Sequence, residues 1–291
     1  MPEILLEPRA LRVLESLRWN PRQAHAGRIR GERLTRRSGL SIDFRDYRDY
    51  VEGDDLRHLD WNVFARLDHP IVKTYQDEED LAVHILVDCS PSMNFGTPNK
   101  HALARQLAFA AGMVGMLGGD AVIGHVLGRR LPPPPPMRGR SGVLPWDRWC
   151  QGIAPNGHEI LAQSLARFVS GTHRVGLVIL ITDGLDPGFA ELLRKVSARG
   201  HELFVLHLLA PEEVEPDIEG DLRLVDSESE STVEITASQS AINEYKANLN
   251  AHCELAAYTV QHYGGRYARV LSDQSVEAVV RDIWQREAWV R

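Results

Sequence analysis

Leu81-Ala-Val-His-Ile-Leu-Val-Asp-Cys-Ser-Pro-Ser-Met93 is the stretch on which the fold turns. Leu81 to Val87 is apolar almost throughout, as expected of a central strand covered on both faces. Downstream, Asn99 to Leu117 reads as a helix rich in Ala and Leu, and Ala121 to Leu127 as a strand, which makes one βαβ unit. A helix from Glu159 to Phe168, a strand from Val175 to Thr182, a helix from Gly188 to Ala198 and a strand from Leu203 to Leu209 continue the alternation. A long helix over Ala241 to Tyr263, a short strand near Tyr267 to Val270 and a terminal helix over Val276 to Trp289 close the chain. Strands alternating with helices predict an α/β fold with a doubly wound, mainly parallel sheet.

Upstream, leucines at 11, 14 and 17 share one face of an amphipathic helix over Arg9 to Trp19. Asn20 to Asp68 is polar, with no sustained period, and reads as an ordered arm. Ile71 to Tyr75 reads as a first strand of the core. The predicted division is therefore 1–69, an N-terminal helix and arginine- and aspartate-rich arm packed on the core, and 70–291, the α/β domain with an acidic excursion near 211–236 that ends in a hairpin. Arg28, Arg30, Arg33, Arg36 and Arg37 could bind phosphates, nucleic acid included. The acids that follow, Asp43, Asp46, Asp49, Glu52, Asp54, Asp55 and Asp60, make ion pairing within the chain the plainer account. Gly53-Asp54-Asp55 reads as a turn whose aspartates cap a short helix over Leu56 to Leu59. Pro132 to Pro136 is polyproline, either a rigid spacer or a ligand for a proline-recognising partner.

The 291 residues, 43% of them hydrophobic, suffice to bury a sizeable core, and a net charge of −7 argues against wholesale binding to nucleic acid or anionic lipid. The apolar stretch Leu107 to Gly119 falls short of the roughly 20 residues that cross a bilayer. The N-terminus lacks the pattern of a signal peptide. Cys89, Cys150 and Cys253 are odd in number and far apart, with neither zinc spacing nor the density of a disulfide scaffold. A cytoplasmic protein without a membrane span is expected.

In an open α/β sheet ligands sit outside the carboxyl ends of the strands. Asp88, Ser90 and Ser92 stand there after the first core strand, and Asp183-Gly184 after a later one. A carboxylate and two hydroxyls spaced two apart can offer oxygens to a hard cation such as Mg²⁺. On spacing alone such a triplet is more often a turn or helix cap; its position after a buried strand favours a metal site.

The Asp88-x-Ser90-x-Ser92 loop resembles the metal-ion-dependent adhesion site of von Willebrand factor A domains. The block Asp43-Phe-Arg-Asp-Tyr-Arg-Asp-Tyr-Val-Glu-Gly-Asp-Asp-Leu-Arg-His-Leu-Asp-Trp61, with Ala65-Arg66 and Val72-Lys73, closely resembles the signature of the bacterial family called domain of unknown function 58. That resemblance runs from about Gly31 to the end. It implies a sheet of the von Willebrand factor A type and association with MoxR-type AAA+ ATPases in chaperone-like or complex-maturation systems. It also implies that Ser90 and Ser92 bind a cation directly, that Asp88 and Asp183 act largely through water, and that a threonine from a second loop completes the shell. Here that loop carries Asn156-Gly157-His158-Glu159 instead of the family's Gly-Gly-Thr-Asp. Three outcomes stay open: His158 ligates Mn²⁺ or Zn²⁺; it is a bystander to weakly held Mg²⁺; or metal binding is lost.

The expected function is a non-catalytic adaptor that binds a protein partner, a MoxR-type AAA+ ATPase and its unknown client. The alternative is a metal-dependent hydrolase acting on phosphoesters. Against it, Ser90 stands where a strand-end aspartyl nucleophile usually has its acid/base partner, and no Gly-x-Ser-x-Gly, Gly-x-x-x-x-Gly-Lys or His-Glu-x-x-His motif appears.

Overall fold

The computed structural model describes residues 5–22, 42–51, 59–77, 81–171, 173–186, 188–218, 220–225 and 231–291. In chain order these form α1 (Pro8–Glu15), β1 (Ile42–Asp49), α2 (Trp61–Leu67), β2 (Ile71–Asp77), β3 (Ala82–Asp88), α3 (Lys100–Leu117), β4 (Ala121–Leu127), α4 (Val143–Gln151) and α5 (Leu161–Ser170). There follow β5 (Leu177–Thr182), α6 (Phe189–Ala198), β6 (Glu202–Leu209), α7 (Pro211–Val214), β7 (Gly220–Val225), β8 (Thr232–Ala237), α8 (Gln239–His262), β9 (Arg266–Leu271) and α9 (Val276–Val279). Contacts divide the chain into two compact units, residues 1–30 with 81–291, and residues 31–80.

The larger unit is built on a five-stranded sheet in the order β4-β3-β5-β6-β9, and each of its pairings is parallel. Side chains alternate across a strand, so each strand feeds two cores. Val83, Ile85 and Val87 of β3, with Ile179 and Ile181 of β5 and Phe204 and Leu206 of β6, pack under residues of α1, α3, α4 and α9. Leu86, Val178, Leu180, Leu203 and Val205 face the other way, against α5, α6 and α8. With helices on both faces, these strands are wholly buried, which explains their unbroken apolar sequences; the arrangement is compatible with a doubly wound α/β fold.

α3 lies closest to the first face and is rich in Ala and Gly for a packing reason. The indole of Trp146, from α4, covers Gly112, where a Cβ would overlap the ring, and its Nε1 donates to the Ala108 carbonyl at 3.1 Å. α4 itself carried no periodicity that marked it in the sequence. The N-terminal helix joins this unit because its apolar face needs the same cover: Ala10 and Leu14 enter the core, and Trp19 Nε1 donates to the Ala111 carbonyl at 3.1 Å. The segment after α1 lies beside the last residues of the chain, Arg18 and Arg291 exchanging backbone hydrogen bonds at 3.0 and 2.9 Å. The terminal helix is shorter than expected, α9 passing into a π-helical stretch over Val280–Gln285. β7 and β8 form the expected hairpin as a separate two-stranded antiparallel ribbon.

Four histidines gather on the second face where β3, β5 and β6 begin. His84 lies 5.4, 5.7 and 5.6 Å, ring to ring, from His125, His173 and His201, and Phe168 stacks on His173 at 4.8 Å. His84 Nε2 donates to the Arg174 carbonyl at 2.8 Å, which leaves its Nδ1 to accept from His125 Nε2 at 3.2 Å. Burial first, then mutual repulsion, pushes His84 down to about 4 and His125 to about 3.

The smaller unit corrects the expected start of the core. Ile71–Asp77 does not join the central sheet but pairs with β1 in a two-stranded antiparallel ribbon with a bulge between Phe44 and Asp46. Lys73, Thr74, Gln76 and Asp77 make the strand too polar to be covered on both faces. Asp60 caps α2, its Oδ1 accepting from the backbone of Asn62 and Val63 at 3.0 and 3.2 Å. The arginine cluster Arg28 to Arg37 and the turn Gly53-Asp54-Asp55 lie outside the described residues.

Candidate functional site

Strand order singles out one crevice. The chain leaves β3 through α3 toward β4 on one side and leaves β5 through α6 toward β6 on the other, with α3 and α6 on opposite faces. β3 and β5 are neighbours, so their carboxyl ends bound a topological switch point, where open sheets hold ligands. Asp88 ends β3, and Thr182 ends β5, with Asp183 next in the chain.

Asp88 is 2% exposed and both of its oxygens are engaged. Oδ1 accepts from the Ser90 backbone N–H at 2.9 Å, and Oδ2 accepts from Thr182 Oγ1 at 2.6 Å. Thr182 Oγ1 in turn accepts from the Gly184 N–H at 3.0 Å, so one hydroxyl ties the two strand ends together. Burial, then the charge of Asp183, pushes the Asp88 carboxyl up to about 6, against the hydrogen bonds from Thr182 and Ser90 that favour its anion. Ser90 Oγ and Ser92 Oγ lie 2.9 Å apart; Ser90 is buried and Ser92 half-buried.

Asp183 is held by a lysine. Lys100 Nζ donates to Asp183 Oδ2 at 2.8 Å and to Glu213 Oε1 at 2.7 Å, and Lys100 is wholly buried. Glu213 Oε2 accepts from the Ala210 backbone at 2.6 Å, which fixes that carboxylate at the foot of α7. The loop after Asp183 is pinned from β6 and α8. His207 Nε2 donates to the Asp183 carbonyl while its Nδ1 accepts from Tyr267, and His252 Nε2 donates to the Gly184 carbonyl at 2.7 Å. Gly184 has φ +56°, and a Cβ there would overlap the Phe189 ring.

The third loop reaches the same end through its backbone. Gly157 N–H donates to the Cys89 carbonyl at 2.8 Å, and the N–H groups of His158 and Glu159 share the Gly128 carbonyl at 2.9 and 3.0 Å. Glu159 does not begin the helix: its carboxylate pairs with Arg167, which holds it well below the usual carboxylate range, and accepts from Ser164 Oγ at 2.6 Å. His158 is exposed. The structure thus places Asp88, Ser90, Ser92 and Asp183 at one end of the sheet, with His158 on the adjoining loop and its side chain toward solvent.

These donors do not fit Mg²⁺ as they are arranged. Mg²⁺ asks for six oxygens in a near-octahedral shell. Both Asp88 oxygens and Asp183 Oδ2 already accept from the chain itself, the two hydroxyls bond each other, and the third loop has His158, turned to solvent, where a further hydroxyl would be needed. Among the described residues no group of three or more His, Cys, Asp and Glu is placed to hold a metal ion.

Thr182, Lys100 and Glu213 were not singled out in the sequence. Thr182 reads there as the last residue of a buried strand. Lys100 carried a signal: a cation in the first turn opposes the helix dipole and asks for a carboxylate partner. Glu213, 113 positions away, carried none.

The model of a family described as protein of unknown function DUF58 matches residues 46–254. Uncharacterized proteins of Mycobacterium bovis and Mycobacterium tuberculosis are 29% identical over 278 residues, 92% of this chain and 86% of theirs. Among solved structures, a conserved hypothetical protein BatB from Bacteroides thetaiotaomicron is 20% identical, with a TM-score of 0.44 over 72% of this chain and 98% of its own. An aerotolerance-related membrane protein from Bacteroides fragilis is 19% identical, with a TM-score of 0.45 over 70% and 97%. No helix among the described residues is long and apolar enough to cross a membrane.

Proposed function

The chain belongs to the family of proteins of unknown function DUF58, and from that premise we propose that it is a non-catalytic binding module. It engages a protein partner through the loop Asp88 to Ser92, beside a MoxR-type AAA+ ATPase and that enzyme's client, in the cytoplasm. One observation carries this: each carboxylate at the switch point is already bonded by the chain itself, Asp88 by Thr182 and the Ser90 N–H, Asp183 by Lys100. Such a network holds a loop in shape, and with Asp88 2% and Asp183 3% exposed neither carboxylate lies open to a substrate as nucleophile or base, which a hydrolase would need. The sheet is of the von Willebrand factor A type, a reading supported by the Asp88-x-Ser90-x-Ser92 loop after β3 and by Asp183 after β5. The ATPase partner is supported by the family resemblance of the block Asp43 to Trp61. The three cysteines, free and buried, suit a reducing compartment.

Tagged full-length protein is crosslinked in its native cells and purified, and a MoxR-type ATPase is expected among the captured proteins. Replacing Ser90 and Ser92 together by Ala should reduce the capture without changing the circular dichroism spectrum. Capture unaffected by the double substitution places the contact elsewhere. Turnover of phosphoesters by the purified protein, abolished in Asp88→Asn, would replace the binding module with the hydrolase.

A further inference from the structure

We propose that the Lys100 ammonium is the resident cation of the strand-end site and does there, permanently, the electrostatic work that a divalent metal would do. The position is unusual on three counts. Lys100 is wholly buried, which lysine almost never is unless it is paired. It occupies the first residue of α3, where the positive end of the helix dipole disfavours a cation. Two carboxylates from distant elements converge on its Nζ, Asp183 at 2.8 Å from the end of β5 and Glu213 at 2.7 Å from α7. An ammonium has three donors, and these bonds use two of them; the Phe95 ring lies 5.9 Å away.

A cation held by two carboxylates from different loops, beside a hydroxyl-bearing turn, is also the layout of a divalent metal site, with one difference: this cation is covalently tethered. A tethered charge loses no affinity to dilution or to chelators. A Mg²⁺ ion drawn to Asp183 would have to approach a carboxylate whose Oδ2 lies 2.8 Å from an ammonium, and the repulsion in a buried setting opposes it. The site is therefore metal-independent, and Lys100 joins α3, β5 and α7 as a bound metal would join its ligand loops. The consequence for the partner rests on the binding module proposed above: capture through Ser90 and Ser92 persists in chelator.

The test is thermal unfolding of the full chain, which involves no partner, so this inference and the binding module fail separately. Four proteins are compared in excess EDTA and in Mg²⁺ or Mn²⁺: wild type, Lys100→Ala, Lys100→Met, and Lys100→Met with Asp183→Asn and Glu213→Gln. Wild type is expected to melt at the same temperature in every condition. Lys100→Ala leaves two unpaired carboxylates and space between them; it should melt lower in EDTA and recover by roughly 3 °C or more once Mg²⁺ or Mn²⁺ exceeds its Kd about tenfold. Lys100→Met fills that space with an uncharged side chain and should melt low in every condition. The triple variant removes the charges together and should melt closer to wild type than Lys100→Met does, again without a metal response. A wild-type rise in Mg²⁺ or Mn²⁺ as large as that of Lys100→Ala overturns the proposal. Should Lys100→Ala not fold, titration calorimetry of the wild type decides: heat of Mn²⁺ binding abolished by Asp183→Asn overturns the proposal, and no binding heat supports it.

Discussion

At the scale of single residues the strand ends depend on one hydroxyl. Thr182 Oγ1 donates to Asp88 at 2.6 Å and accepts from the Gly184 N–H at 3.0 Å in a buried setting. Thr182→Val keeps the shape of the side chain but leaves the Asp88 carboxylate short of a donor, and a buried hydrogen bond to a charged group contributes about 1.5 to 3 kcal/mol. We expect Thr182→Val to lose that much stability in urea, and Thr182→Ser, which keeps the hydroxyl, to lose about 1 kcal/mol or less for its missing methyl group. Equal losses would mean that the methyl packing, not the bond, holds Thr182. The sequence offered no hint of this link, since a threonine closing an apolar strand reads as β propensity.

At the scale of elements α3 and α4 meet without a gap. The Trp146 indole lies over Gly112, and its N–H is satisfied by the Ala108 carbonyl on the same helix. In an exposed helix Gly→Ala stabilises, because glycine has more backbone freedom to lose. Here the added methyl group collides with a wholly buried ring, so the sign reverses. Gly112→Ala should cost about 1 to 3 kcal/mol through overpacking, read as a lower urea midpoint with an unchanged slope. A variant as stable as wild type would mean that Trp146 can move aside. The Ala- and Gly-rich sequence of α3 announced a closely packed helix, but it could not name the partner, because α4 has no clear apolar period and lies 34 residues further on at the contact pair Gly112 and Trp146, a distance of chain that only folding closes.

At the scale of the whole molecule the histidines of the second face tie stability to pH. His84 and His125 have pKa values lowered from 6.5 to about 4 and about 3 by burial, with His173 and His201 lowered for the same first reason. The unfolded chain takes up protons below about pH 6.5 while the native chain stays neutral there, so stability is complete above that pH and falls as the pH drops toward 4. Each such histidine adds up to about 1.4 kcal/mol per pH unit to the slope. Asp88 works the other way: its raised pKa makes the native state the better proton acceptor between about 6 and the unfolded value of 3.8, so its ionisation favours unfolding as pH rises through that window. The histidines outnumber it, and the urea midpoint should fall between pH 7 and pH 5, less steeply in His125→Phe. A midpoint that does not change over that range would show that the cluster opens to water or protonates in place.

Periodicity and composition determined the parallel α/β core, because a strand buried on both faces must be apolar almost throughout, as Leu81 to Val87, His84 apart, and Leu177 to Ile181 are. They also placed Asp88, Ser90, Ser92 and Asp183 at strand ends, since an apolar run stops where the sheet stops. What local pattern could not decide was the pairing of Ile71–Asp77 with Ile42–Asp49, because strand partners are chosen by the register of distant segments. Nor could it decide what holds the carboxylates. Lys100, Thr182, Glu213 and His207 come from four separate elements and meet only once the sheet is wound, and the charge of a lysine in sequence says nothing of whether water or an aspartate will surround it.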